Sequence, residues 1–246
     1  MIHLFLIGIG TGNPDHLTGE ARRAIAEADM FLIPRKGIGK SDLADLRTQI
    51  IEGIRADAHI VAFDMPVRDD TLPYIERVER WHDAIAEIWS EAIAKNAKAT
   101  RVALLVWGDP SLYDSTLRIA ARLSPSPQLT VVAGITSVQA LTAAHALPLN
   151  TLNAPVTIST GRQLRDHGWP DGVETLVVML DGTCAFQQLD PQLYDIWWGA
   201  YLGMKEQILE TGRLSEAGPR IIERRTAARA AHGWIMDTYL LRRRAP

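Results

Sequence analysis

The chain has 246 residues, 47% of them hydrophobic and 22% charged, with a formal charge of −3 and an isoelectric point near 6.2. That length accommodates one large or two smaller domains with buried cores, and the charge balance excludes the general basic field that a nucleic-acid partner needs. A single cysteine, Cys184, excludes an internal disulfide and a cysteine metal cluster and fits a reducing cytoplasm; beside an expected strand end it reads as packing rather than as a nucleophile.

The first predicted element is a strand over residues 4–7, which runs into Gly8, Gly10 and Gly12 and then a helix capped by Thr18 and ending near residue 28. This apolar start is short, lacks a basic leader and is broken by glycine, so neither a signal peptide nor a membrane span is expected. Glycines at such a strand-to-helix turn can cradle a dinucleotide pyrophosphate. The spacing argues against it: the G-x-G-x-x-G pattern needs glycine at position 13, where Asn13 and then Pro14 stand. The acid expected about 20 residues on is also missing, because Asp29 precedes the next apolar run and Pro34, Arg35 and Lys36 follow it.

Further along, residues 31–33 read as a second strand, 42–55 as a helix and 60–63 as a third strand. A long helix follows over 73–96, and the spacing of its apolar residues places Trp81 and Trp89 in a core rather than on a stacking surface. A fourth strand (102–106), a helix (111–123), a fifth strand (129–133) and a helix (136–146) complete an α/β first half. Its expected architecture is an open parallel sheet with flanking helices. The character changes at Leu147-Pro148-Leu149-Asn150, which sets expected domains of 1–148 and 149–246. In the second half, strands over 155–159, 175–180, 196–201 and 233–242, with helices near 183–189 and 215–230, predict a mixed sheet. Arg242, Arg243 and Arg244 read as a solvated cationic terminus.

Two more loops follow strands of the first half: Trp107-Gly108-Asp109-Pro110-Ser111-Leu112-Tyr113 and Gly134-Ile135-Thr136-Ser137. Each alone is ordinary turn and capping chemistry, and Asp109 could simply cap the helix expected over 111–123. Three loops on the carboxyl edge of one parallel sheet point instead to a binding cleft. No His, Asp and Glu cluster has metal-site spacing, so no metal is expected.

These motifs in this order, with Pro14-Asp15-His16-Leu17-Thr18 closing the first loop, Ala28-Asp29 before the second strand and a late stretch over 207–214, resemble the tetrapyrrole methylase family. The resemblance covers nearly the whole chain. It implies two α/β domains, usually in a homodimer, with S-adenosylmethionine bent in the cleft between them and a tetrapyrrole as substrate. Four further stretches, 33–37 with the following 42–47, 63–69, 198–204 and 233–239, are similar to members that methylate C1 of precorrin-5 with hydrolytic loss of acetate. Other corrin methylases share the loops but differ there.

By the same resemblance, Pro14, Trp107, Gly108, Asp109, Leu112, Thr136 and Ser137 would hold the cofactor, and Met179, Leu180, Ala200 and Tyr201 would meet its adenosine. Gly10, Thr11 and Gly12 would form one wall of the tetrapyrrole site. Arg35, Lys36 and Arg68, following the second and third strands, are candidates for the substrate's carboxylates, or equally solvated surface charge. Loss of the acetyl group needs a base for the attacking water. Asp15 is the first candidate and His16 the second; the alternative is that Asp15 only orders the loop or caps the helix. A dinucleotide-dependent oxidoreductase, opposed by Asn13 and the missing acid, and a non-enzymatic tetrapyrrole carrier, which would not need the later loops, are the competing classes.

Overall fold

A computed structural model describes residues 1–35 and 42–244. The chain divides into two compact units, Met1–Thr136 and Ser137–Pro246. The first contains β1 (His3–Gly8), α1 (Gly19–Glu27), β2 (Met30–Arg35), α2 (Asp42–Glu52), β3 (Ile60–Asp64), α3 (Tyr74–Lys95), β4 (Arg101–Val106), α4 (Thr116–Ala120) and β5 (Gln128–Val132). Its sheet is parallel throughout, in the order β3-β2-β4-β1-β5.

β1 is apolar at nearly every position because both its faces are covered. Leu4 and Leu6 join Val102, Leu104, Ile85 and Trp89 on one face. Phe5 and Ile7 join Ala103, Leu105, Ala21 and Ile25 on the other. Parallel pairing puts every carboxyl end on one edge, and β1 lies between β4 and β5, so the loops after these three strands are neighbours. Thr18 caps α1 as expected, its hydroxyl accepting from the Ala21 N–H at 3.0 Å. The Asp29 carboxylate ties the start of β2 to the start of β4, accepting from the Thr100 and Arg101 N–H groups at 3.1 and 2.9 Å. Burial would raise its carboxyl, but the bonds from Arg101 and Thr100 win and hold it at about 2.

Trp89 is buried, as its spacing predicts, whereas Trp81 is half-buried and donates to the Pro66 carbonyl at 2.8 Å. Two turns before Trp89 on α3, His82 is 1% exposed, and among the described residues neither of its ring nitrogens has a hydrogen-bond partner. Burial first, then the Arg122 guanidinium, pushes its pKa below the ordinary value, with Glu79 opposing. The unfolded chain therefore binds this proton before the folded one does. The associated stability is fully present above the unfolded value of about 6.5 and is lost as pH falls below it. Melting temperatures between pH 8 and 5 should fall less steeply for His82→Leu than for the unsubstituted protein; equal slopes would contradict this.

The second unit contains α5 (Ser137–Ala144), β6 (Val156–Thr160), α6 (Gly161–His167), β7 (Thr175–Met179), β8 (Tyr194–Ala200), β9 (Ile208–Arg213), α7 (Leu214–His232) and β10 (Asp237–Arg243). Its sheet runs β6-β7-β10-β8-β9, with β6 parallel to β7 and the other pairs antiparallel, which is the expected mixed sheet. α5 packs on β8 and β10, and His145 just beyond it meets the Trp198 carbonyl at 3.0 Å. The unit therefore begins one helix earlier than the expected boundary at 147–150.

The C-terminal arginines are not a solvated tail. β10 is the central strand, Arg242 donates to the Pro148 and Leu149 carbonyls at 3.0 and 3.2 Å, and Arg243 ends the strand. The stretch near 183–189 is a single 3-10 turn, Ala185–Gln188.

Candidate active site

The three loops at the carboxyl edge of the first sheet are knitted by their backbones. Gly10 and Gly108 form an antiparallel bridge, with the Gly108 N–H donating to the Gly10 carbonyl at 2.7 Å and the return bond at 3.2 Å. A Cβ on Gly8 would lie 2.6 Å from the Gly134 nitrogen, and one on Gly134 would lie 2.1 Å from the Gly108 carbonyl oxygen. Those glycines serve close approach of chain to chain. Gly108 differs: its φ is +68° and a Cβ there would meet nothing nearer than the Thr136 Cα at 3.9 Å. Among the described residues this leaves an open face at Gly108, a cradle that a Cβ would partly fill.

Asp109 is the clasp between two of the loops. One carboxylate oxygen accepts from the Ser111 N–H at 2.8 Å and from the Ser111 hydroxyl; the other accepts from the Gly134 N–H at 2.8 Å. Burial would raise its carboxyl, but the bonds from Ser111 and Gly134 prevail and keep it ionised. The helix expected over 111–123 starts only at Thr116, so Asp109 is not its cap. Tyr113 takes a left-handed φ of +51°, and Asp114 instead receives the Thr116 N–H at 2.7 Å. Pro110 is buried, while Leu112, half-buried, donates its N–H to the Asp109 carbonyl at 3.3 Å. Trp107 packs on the core of α1 and β1.

In the first loop, residues Pro14–His16 form a 3-10 turn. The Pro14 carbonyl accepts from Arg22 at 3.1 Å. Thr11 is buried, and its hydroxyl pairs with the His16 ring at 3.2 Å; a Cβ on Gly10 would lie 2.5 Å from the His16 Cβ. His16 is thus part of the loop's own packing, and Gly10, Thr11 and Gly12 are buried within it. Asp15 is exposed. The structural duties open to it are performed by others: Asn13 accepts the Asp15 N–H at 2.9 Å, and Thr18 caps α1. Among the described residues no hydrogen bond to the Asp15 carboxylate is found.

Arg35 ends β2, exposed, on this edge. Arg68 follows β3 and stacks on Trp81, its Cζ 4.0 Å from the ring centre. Lys36 lies outside the described residues. The sequence reading gave no role to Arg47 of α2, which donates to the Leu105 carbonyl at 2.9 Å, directly beneath the Trp107 loop. Burial pushes its guanidinium down to about 10, against the pull of Asp114.

In the second unit, Met179 closes β7 and Leu180 projects from the turn after it, 67% exposed, with a φ of +53°. Ala200 and Tyr201 are buried; the Tyr201 hydroxyl donates to the Trp234 carbonyl at 2.5 Å and the Tyr201 N–H to the Met236 carbonyl at 3.0 Å. Ser137 opens α5, and Thr136 precedes it, half-buried. Behind Leu180 lies a buried polar cluster that sequence patterning did not single out. The Arg225 guanidinium pairs with Asp237 at 2.9 Å and donates to the Asp181 carbonyl at 2.9 Å. Burial pushes the Asp237 carboxyl up, against Arg225 and the Trp198 indole N–H. Burial likewise pushes the Cys184 thiol up to about 11, which leaves it a packing residue at neutral pH.

The model of the Tetrapyrrole (Corrin/Porphyrin) Methylases matches residues 3–218. Over the whole chain and 97% of its own length, a precorrin-6A synthase [deacetylating] of Sinorhizobium sp is 45% identical. A cobalamin-synthesis-related protein (CobF) of Corynebacterium diphtheriae superposes with a TM-score of 0.85 at 37% identity, covering 98% of this chain and 99% of that one. The uroporphyrin-III-C-methyltransferase of Thermus thermophilus shares the fold, with a TM-score of 0.58 at 22% identity over 98% of this chain and 91% of that one. With its knitted carboxyl-edge loops and its family match, this chain belongs to the tetrapyrrole (corrin/porphyrin) methylases.

Proposed function

We propose that this chain is the S-adenosylmethionine-dependent C-methyltransferase that converts precorrin-5 to precorrin-6A, methylating C1 with hydrolytic loss of acetate. The observation that carries this reading is the match to precorrin-6A synthase, which runs the full length of the chain. The cofactor, when bound, supplies a methyl group already activated by its sulfonium. The chain's own residues must therefore bind, orient and exclude water more than they must do acid–base work on the methyl transfer.

The Gly108 cradle and the Asp109 clasp fix the loop that would take the methionine end, with Trp107, Leu112, Thr136 and Ser137 beside it and Pro14 at the first loop. A carboxylate at Asp109 would also favour a sulfonium or ammonium held near it. Met179, Leu180, Ala200 and Tyr201 would meet the adenosine, and S-adenosylhomocysteine would leave as product. Arg35, Lys36 and Arg68, with the first loop as a wall, are proposed to face the carboxylate-rich tetrapyrrole. The family resemblance supports a cytoplasmic homodimer.

Asp15 would take the proton of a water whose oxygen bonds to the acetyl carbonyl carbon. The bond from that carbon to C1 would then break, leaving its electron pair on C1 and the conjugated ring, and acetic acid would depart. C1 would use that pair to bond the methyl carbon supplied by the sulfonium, and the proton held by Asp15 and that of the acetic acid would pass to solvent, so that acetate and two protons leave and atoms and charge balance. Titration calorimetry should show binding of S-adenosylhomocysteine in the micromolar range and none of NAD. Binding of NAD alone would move the chain to the oxidoreductase class.

A further inference from the structure

The turn after β7 is held by a dense set of polar bonds centred on Asp181. The Asp181 side chain, 6% exposed, accepts the Thr183 N–H and hydroxyl at 2.9 and 3.1 Å on one oxygen. On the other oxygen it accepts the Ala185 N–H at 2.6 Å and the Tyr239 hydroxyl at 2.7 Å. Its main-chain carbonyl takes the Arg225 guanidinium, which Asp237 orients from behind. Room for this carboxylate is made by Gly161, where a Cβ would stand 2.4 Å from the Asp181 Cγ. The residue immediately before the clamp is Leu180, an exposed apolar side chain on a left-handed backbone.

Burying two carboxylates and a guanidinium is a poor route to stability, since apolar replacements of such clusters are often as stable or more so. A left-handed leucine is disfavoured on its own and persists only where its surroundings over-determine it. Both costs fall on the same turn. The bonds of the cluster are made to Asp181, the residue that follows Leu180 in this turn.

We propose that Asp181, clamped by Tyr239 and Arg225, is a positioning residue for cofactor binding that holds Leu180 outward so that its apolar side chain packs on the adenosine. This rests on the reading that Met179 and Leu180 meet the cofactor, and the test separates the two. Tyr239→Phe removes one bond to Asp181 while keeping the ring against Phe186, its neighbour at 5.3 Å. Binding of S-adenosylhomocysteine to the full chain is measured by calorimetry for Tyr239→Phe, Leu180→Ala and the double variant, with steady-state kinetics alongside.

Each single variant should bind about five- to tenfold more weakly, as a higher KM for S-adenosylmethionine with kcat retained. The double variant should be no weaker than Leu180→Ala, because the clamp acts through that side chain. Unchanged affinity in Tyr239→Phe, whatever happens to its melting temperature, overturns the positioning role while leaving the cofactor reading intact. Unchanged affinity in Leu180→Ala overturns the cofactor reading itself. Fully additive losses overturn the route through Leu180.

Discussion

Replacing Gly134 with alanine is expected to cost the first unit about 3 kcal/mol of stability and to abolish binding of S-adenosylhomocysteine. The added Cβ would sit 2.1 Å from the Gly108 carbonyl oxygen and 2.8 Å from the Gly8 Cα and carbonyl carbon. All of these are backbone atoms at the ends of paired strands, so no flexible side chain can move aside. The loops must part instead, and parting them breaks the bond from the Gly134 N–H to Asp109, which ties together the two loops proposed to hold the cofactor. Gly108→Ala is the comparison for stability alone, since its methyl would stand in the proposed cradle. In the free protein it meets open space and loses only the ease with which glycine takes its φ of +68°, a penalty of about 1 kcal/mol. Denaturant unfolding of both variants beside calorimetry checks the ordering; a Gly134→Ala protein as stable as Gly108→Ala would refute the backbone-contact account.

Asp15→Asn is expected to slow acetate release by about 10²- to 10⁴-fold, the usual contribution of a positioned base, with the melting temperature and S-adenosylhomocysteine affinity retained. Retention follows because Asn13 and Thr18 carry the loop and cap bonds and Asp15 is exposed. Methyl incorporation should fall in parallel, because loss of the acetyl group is what makes C1 nucleophilic. His16, paired with Thr11 and packed on Gly10, should show the opposite pattern: His16→Ala destabilises the loop first. Unchanged methyl and acetate rates in Asp15→Asn would remove Asp15 from the mechanism.

The parallel sheet was legible because apolar runs such as residues 4–7 and 102–106 are buried on both faces and are separated by helices whose periodicity is strong, as in α3. The same signal failed where elements are short or half-exposed. α6 has seven residues with Leu164 its one buried large apolar side chain, and β9 reads Ile-Leu-Glu-Thr-Gly-Arg, an edge strand without alternation. The late start of α4 was hidden because Asp-Pro-Ser reads as helix-start chemistry. In the folded chain Asp109 is drawn away to Gly134, a partner 25 residues distant.

The candidate site was half legible for a related reason. Loops at strand ends announce themselves through glycine, proline and aspartate, so Gly108, Asp109 and Gly134 could be found. The cluster of Asp181, Arg225, Asp237 and Tyr239 draws on three separate segments and has no local pattern. Arg47 likewise looks like any helix-surface cation until its guanidinium is seen on the Leu105 carbonyl. The sequence could also not tell whether the glycines of the first loop face a ligand or other chain segments. Gly8 packs on Gly134 and Gly108, and Gly10 packs on His16.

Incubation of the protein with precorrin-5 and methyl-labelled S-adenosylmethionine should give one labelled methyl at C1 and one acetate released per turnover, with precorrin-4 left unmethylated. Label entering precorrin-4, or precorrin-5 methylated without acetate, would contradict the proposed reaction.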